Sequence, residues 1–229
     1  SKRWKAAVRK YLIDENTMLA AGNCQTSQAM AIYYNIFEPA ERKAAFEQLI
    51  NLIEEQEYHL DVGVLGGRVL FHVLTDFGYS DLAFSMITRP DYPSYGNWIA
   101  RGATTLWEVF QPEGSDRIGS LNHHFWGDIS SWFTQALSGI RMAPHGEPNE
   151  VDFRPSFISR LTHAEAFHIA PAGRIASAWE RDEDDVIVLT VELPSTMHGI
   201  IRLESGYVFE DGLAYKAAES GTYRIHSIE

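Results

Sequence analysis

The hydrophobic pattern changes period near residue 145 of this 229-residue chain. Before that point apolar side chains recur at helical spacing. Phe46, Leu49, Ile50 and Ile53 fall at i, i+3, i+4 and i+7 within residues 39–56, with Pro39 at a plausible first helical position. Ser80 can cap a helix that buries Ala83, Met86 and Ile87, and Ser120 can cap one carrying Phe125, Ile129, Trp132, Phe133 and Ala136. Residues 2–13, 27–37, 67–76 and 94–100 complete six or seven helices joined by Gly- or Pro-marked turns, with no convincing strand pair. The stretch Met142-Ala-Pro-His-Gly-Glu-Pro-Asn149 reads as a linker or loop. Beyond it, residues 163–169, 174–180, 186–193, 199–203, 207–209 and 221–225 are strand-length runs rich in β-branched or aromatic residues. The expected architecture is multi-domain: helical hairpins over residues 1–145, then an antiparallel β-sandwich over 150–229.

Charge narrows the function classes. Nineteen Lys+Arg against 31 Asp+Glu leave a formal charge of −12. That balance argues against a general phosphate-backbone binder and against docking on an anionic membrane, so neither nucleic acid nor membrane is an expected partner. No run approaches 18 uninterrupted apolar residues. The single Cys24 excludes an intrachain disulfide and a cysteine-rich zinc site. The opening Ser1-Lys2-Arg3-Trp4 runs straight into a helical pattern and has no signal-peptide form. The compartment stays open.

Five of the six tryptophans, Trp4, Trp98, Trp107, Trp126 and Trp132, precede residue 145. Aromatic faces on a concave helical surface suit the C–H faces of sugars, yet large aromatics at helical spacing are usually packing. Trp132 reads as core; for Trp98, Trp107 and Trp126 both readings stand. Glu108 sits in a run of small and apolar residues with no basic neighbour in sequence. Such a carboxylate either faces a cavity or is satisfied by backbone or a distant Arg, because burying it unpaired is costly. Asn122 and His123 are expected in the first turn of a helix, where they could hold sugar hydroxyls. His123-His124 with Asp128 is a weak metal signature: adjacent histidines face different sides, and no His follows at i+4. No metal and no cofactor are expected. Asp182-Glu-Asp-Asp185 reads as a charged hairpin tip rather than a calcium loop.

Four segments then form a familiar series. Gly22-Asn-Cys-Gln-Thr-Ser-Gln-Ala-Met-Ala31 resembles the Gln-Thr-x-x-Ala-x-Ala helix of inverting α-L-rhamnosidases, glycoside hydrolase family 78. His59-Leu-Asp-Val-Gly-Val-Leu-Gly-Gly67 is similar to their His-Leu-x-x-Gly-x-Leu-Gly-Thr turn, and Tyr92-Pro-Ser-Tyr-Gly…Gly-Ala-Thr-Thr-Leu-Trp-Glu108 to their Tyr-Pro-Ser-Trp-Gly…Gly-Ala-Thr-Thr-Ile-Trp-Glu segment. Ser120-Leu-Asn-His123 is similar to Ser-Phe-Asn-His. The series covers about residues 10–140. Asp61, Gly67, Tyr95 and His124 depart from the family pattern, and Val109-Phe110 stands where Arg-Trp is common.

The resemblance implies part of an (α/α)6 barrel followed by a β-sandwich. It implies Glu108 as the general base that activates water, and His123 as a residue of the rhamnose subsite. Asn122, Trp107 and Tyr95 are placed in or beside that pocket. The family's general acid lies in an upstream segment of the form Asp-x-x-x-Arg-Asp-Glu, which this sequence does not contain. The chain therefore reads as the C-terminal part of a larger enzyme acting on a rhamnose-containing carbohydrate. The upstream part of the same enzyme, or another chain, would complete the barrel, and the 229 residues alone are expected to be inactive. The competing reading is a non-catalytic carbohydrate-binding or structural protein. Half a barrel is also expected to leave inward-facing aromatics such as Trp98 and Trp126 exposed unless something covers them.

Overall fold

The computed structural model describes residues 2–115, 119–144 and 146–228. Ser1 and His145, parts of the opening and of the linker segment, lie outside the described residues. The chain divides after Ile129 into two compact units.

The first unit is built from short helices: α1 (Lys2–Leu12), α2 (Gln25–Tyr33), α3 (Arg42–Glu55), α4 (Val64–Gly67), α5 (Leu70–Asp76), α6 (Ser80–Thr88) and α7 (Tyr95–Ala100). Helix α3 buries Ala45, Phe46, Leu49, Leu52 and Ile53, the stripe its 3.6-residue period predicts. Phe46 stacks on Phe77 with ring centroids 4.1 Å apart. Ala83, Met86 and Ile87 are the buried apolar face of α6, as expected. Ser94 is a true cap of α7: its Oγ accepts from the Asn97 N–H at 2.8 Å.

Several local expectations are corrected. Pro39 lies in a turn before α3, and α6 begins at Ser80 itself, with Tyr79 at the cap position. A two-residue ladder pairs β1 (Ile13–Asp14) with β2 (Leu19–Ala20), so the helical part does contain one strand pair. The helix expected after Ser120 is three pieces: a 3₁₀ turn at His124–Trp126, α8 (Asp128–Trp132) and a π-helical turn at Phe133–Leu137. The changing pitch breaks the stripe, so Phe125 and Phe133 are 51% and 39% exposed while Trp132 is fully buried. Trp98 and Trp126 are not exposed; they are 2% and 4% accessible. They bury one another, with ring centroids 6.1 Å apart, and Phe110 packs on both at 4.4 and 4.6 Å. Helix α1 behaves differently: none of its residues is buried, and Trp4 and Tyr11 are 78% and 72% exposed.

The second unit carries two sheets. One has the order β10-β8-β4-β3 and the other β5-β6-β7-β11-β9. The strands are β3 (Ile140–Met142), β4 (Val151–Phe153), β5 (His163–Ala170), β6 (Gly173–Arg181), β7 (Ile187–Glu192), β8 (Ile200–Arg202), β9 (Tyr207–Phe209), β10 (Tyr215–Ala217) and β11 (Gly221–Ser227). The linker segment is a hairpin loop between β3 and β4, closed where the Ala143 N–H donates to Glu150 O at 2.8 Å. Ile140, Val151 and Phe153 from one sheet share a core with Ile175, Trp179, Leu189 and Ile225 from the other, the packing of a sandwich. Pairing is antiparallel except between β4 and β8, which run parallel at Phe153 and Ile201. Asp182 is a hairpin-tip residue: its Oδ1 accepts the N–H groups of Asp184 and Val186 at 3.0 and 2.9 Å.

Candidate active site

Glu108 is half-buried and lines a cavity of about 520 Å³ in the first unit. Three segments supply the rest of the wall: Cys24 and Thr26 at the start of α2, residues 60–64, and Tyr92-Pro93. Val109, Phe110 and Trp126 close it beside the carboxylate. Asp61 is the second carboxylate on this wall.

The backbone around Glu108 is held like a strand. Its N–H donates to Ser120 O at 2.8 Å, and the His123 N–H donates to Leu106 O at 2.8 Å. The Thr105 hydroxyl donates to Leu121 O, and the Trp126 indole N–H donates to Glu108 O at 2.9 Å. One carboxylate oxygen, Oε2, accepts the Ser120 N–H at 2.8 Å. The two sequence readings of Glu108 are thus combined: backbone satisfies one oxygen, and the side chain still borders open space. An accepted N–H fixes the carboxylate's rotamer, and a fixed oxygen is what positioning a water requires.

The wall segment at residues 60–62 is anchored by Gln25, which is fully buried. Its Nε2 donates to His59 O at 2.8 Å, and its Oε1 accepts the Asp61 N–H at 3.1 Å. Both ends of one amide therefore pin the turn that carries Leu60, Asp61 and Val62. His59 continues the bracing outward: its Nε2 lies 3.0 Å from Asp91 Oδ2, and Arg89 donates to both Asp91 oxygens at 2.9 and 2.8 Å. The Arg89 guanidinium, then His59, hold the Asp91 carboxyl well below the usual carboxylate range.

The other sequence candidates are near Glu108 in the chain but have other surroundings. Tyr95 is 7% exposed and its hydroxyl donates to Trp126 O at 3.4 Å; burial pushes its phenol up. Trp107 packs 6.2 Å from Trp98 with the Arg101 guanidinium 5.2 Å from its ring centre. Asn122 is exposed, its backbone engaged with Ser120 Oγ. His123 is half-buried, and its Nδ1 accepts the Phe125 N–H at 3.4 Å. Neither Asn122 nor His123 lies inside a helix, contrary to expectation; bonds from residues 105–106 to Leu121 and His123 hold the segment outside it, Asn122 sits in a bend, and His123, in extended backbone, caps the 3₁₀ turn. None of these four side chains borders the Glu108 cavity. The sequence assigns Gln25 no role beyond its place in a motif and marks Asp61 only as a departure from the family pattern. The available signal was an amide and a carboxylate in motif turns rather than on a polar helix face. Among the described residues no group of three or more His, Cys, Asp or Glu could hold a metal ion, and no helix is long and apolar enough to cross a membrane.

Residues 1–137 match the family model of the bacterial α-L-rhamnosidase six-hairpin glycosidase domain. The chain belongs to that family. Residues 149–206 match the bacterial α-L-rhamnosidase C-terminal domain. An α-L-rhamnosidase of Streptomyces avermitilis is 32% identical over 222 residues, covering 89% of this chain and 21% of the relative. One from Alteromonas sp. strain LOR is 28% identical over 97% of this chain and 26% of its own length. Among solved structures, the S. avermitilis α-L-rhamnosidase complexed with L-rhamnose superposes with a TM-score of 0.85 at 27% identity, over 98% of this chain and 23% of that one. The α-L-rhamnosidase from Dictyoglumus thermophilum gives 0.82 at 26% identity, over 98% and 28%. The chain thus spans about a fifth to a quarter of the length of these α-L-rhamnosidases.

One departure from the α-L-rhamnosidase motif now has a physical reason. Gly67 stands where the motif carries Thr, and a Cβ on Gly67 would lie 2.6 Å from the Trp126 ring. In this member of the α-L-rhamnosidase family, Trp126 fills the space that a side chain at 67 would need.

Proposed function

We propose that this chain is the C-terminal part of an α-L-rhamnosidase that releases terminal rhamnose with inversion, and that Glu108 is its general base. The observation that carries the proposal is the placement of Glu108: one oxygen fixed by the Ser120 N–H, the side chain on a cavity wall. An inverting glycosidase needs a base on one face of the sugar and an acid on the other, separated by roughly 6.5–9.5 Å to admit a water. The base takes a proton from that water as its oxygen attacks the anomeric carbon; the acid protonates the departing glycosidic oxygen. The acid belongs to another part of the full-length enzyme. By the family resemblance His123 contacts the sugar and Asn122, Trp107 and Tyr95 lie in or beside the rhamnose subsite, beyond the cavity wall that Glu108 borders. No cofactor takes part in this scheme. A rhamnose-bearing carbohydrate is the substrate class.

The test is turnover of an aryl α-L-rhamnoside by the full-length protein. Glu108→Gln keeps shape and most hydrogen bonding but cannot take a proton, so kcat falls about 10²–10⁴-fold with KM little changed. His123→Ala raises KM, because it removes a positioning contact. Retained activity in Glu108→Gln ends the assignment. The 229 residues alone do not turn over the substrate. If they do, the acid lies within these residues. The non-catalytic alternative predicts rhamnose binding by the full-length protein with no turnover at all.

A further inference from the structure

We propose that Asp61 stabilises the positive charge that develops on the sugar ring in the cavity beside Glu108, as a second carboxylate on that wall. The inference rests on the reading of this cavity as the place where the rhamnose reacts, and its test separates the two. Asp61 departs from the family pattern, so the extra charge is a property of this chain's own site.

The chemistry calls for negative charge here. Cleavage of a glycosidic bond passes through a transition state of oxocarbenium-ion character. As the bond to the leaving oxygen stretches, positive charge builds on the anomeric carbon and the ring oxygen. A carboxylate already in place attracts that charge and does little for the neutral ground state. It therefore raises kcat more than it lowers KM.

The wall is built for that role. Among the described residues that line it, Glu108 and Asp61 are the charged side chains, with no Lys, Arg or His beside them. Their mutual repulsion is relieved when a positive charge arrives in the cavity. Leu60, Val62, Val109 and Phe110 make much of the remaining surface apolar, where a charge acts more strongly than in open water. The Asp61 carboxylate makes no hydrogen bond or ion pair with another described residue, so its oxygens are uncommitted. Its backbone is nevertheless fixed. The Asp61 N–H donates to Gln25 Oε1 at 3.1 Å, and Gln25 Nε2 holds His59 O at 2.8 Å. A free carboxylate on a pinned turn faces developing charge without having to be reorganised first. Asp61 is exposed, so water screens it, and the effect lies at the lower end for a unit charge a few ångströms away, about tenfold.

The test measures two affinities by calorimetry on the full-length protein at low salt. One ligand is neutral L-rhamnose; the other is its piperidine analogue 1,5-dideoxy-1,5-imino-L-rhamnitol, whose protonated nitrogen puts a positive charge in the ring. The deciding quantity is the preference for the iminosugar over rhamnose. Asp61→Asn keeps the shape of the side chain and the backbone bond to Gln25, and it lowers that preference about tenfold by weakening the iminosugar. In turnover of an aryl α-L-rhamnoside the same variant loses a similar factor in kcat with KM little changed. Glu108→Gln lowers the preference too, whereas Glu47→Gln, at an exposed position of α3 outside the cavity, leaves it unchanged. A preference that falls in Glu108→Gln but not in a folded Asp61→Asn overturns the inference and leaves the cavity reading standing. A preference unchanged in both overturns the cavity reading and the inference with it. A preference that falls in Asp61→Asn alone supports the inference and removes Glu108 from the sugar. Equal weakening of both ligands by Asp61→Asn overturns the inference, because it marks a hydroxyl contact rather than a charge effect. So does an equal fall in Glu47→Gln, which would make net charge the cause.

Discussion

Two buried glutamines on one helix provide a controlled comparison. Gln25 and Gln28 are both fully buried on α2. Gln28 makes three bonds: Oε1 accepts from the Ala20 N–H at 2.7 Å, and Nε2 donates to Met18 O and Ala45 O at 2.9 and 2.8 Å. Gln25 makes two, both to the turn on the cavity wall. Leucine at either position leaves those backbone groups without a partner, at about 1–3 kcal/mol for each group that water cannot reach. The bonds of Gln25 are part-buried, so the low end applies and Gln25→Leu costs about 2 kcal/mol. Two of the three made by Gln28 are fully buried, so Gln28→Leu costs more, about 3–5 kcal/mol. Thermal unfolding checks that order. Activity should reverse it: at a temperature where both variants are folded, Gln25→Leu impairs turnover because residues 59–61 lose their anchor, while Gln28→Leu retains near-normal kcat/KM. If Gln25→Leu is as stable as the parent, or if both variants lose activity in proportion to stability, the reasoning fails.

Gly199→Ala places a Cβ 1.6 Å from Val151 O, a backbone atom that cannot move aside, so calorimetry should show a loss of about 3 kcal/mol or more. Gly67→Ala pushes on the Trp126 ring that holds Glu108 O; destabilisation of about 1–3 kcal/mol is expected, with a drop in kcat larger than for Gly63→Ala, where the added Cβ meets nothing within 4 Å. Asp91 has its folded pKa depressed by Arg89 and His59, so its contribution is full above the unfolded value of about 4 and is lost as pH falls below it. The Tm difference between the parent and Asp91→Asn should accordingly shrink between pH 6 and pH 2.5; a difference independent of pH refutes the ion-pair account.

Legibility in the sequence followed from how local the physics was. The α3 stripe and the β6–β7 strands were readable because one face of each is buried and the period declares it. The segment after Ser120 was misread as a helix because its apolar spacing is helical, while pairing of residues 120–123 with 105–108 is a tertiary decision that no local period records. Spacing leaves both readings of Trp98 and Trp126 open, and the half-barrel argument expects them exposed unless covered; each aromatic covers the other, and sequence spacing does not reveal that Phe110 packs on both. Glu108 was legible because a lone carboxylate in an apolar run needs a special explanation. Gln25 was not, since only the fold brings His59 O and the Asp61 N–H to its amide.

The most direct test of the central claim is the pH profile of kcat/KM for an aryl α-L-rhamnoside, measured on the full-length protein and its Glu108→Gln variant. A general base must be deprotonated to act, so the parent's activity falls on the acidic side as that group takes a proton. With Glu108 as the base, the variant is slower by about 10²–10⁴-fold and its profile has lost the acidic limb. A variant that is slow but keeps the same acidic limb would mean that another group takes the proton, and the assignment of Glu108 would be wrong.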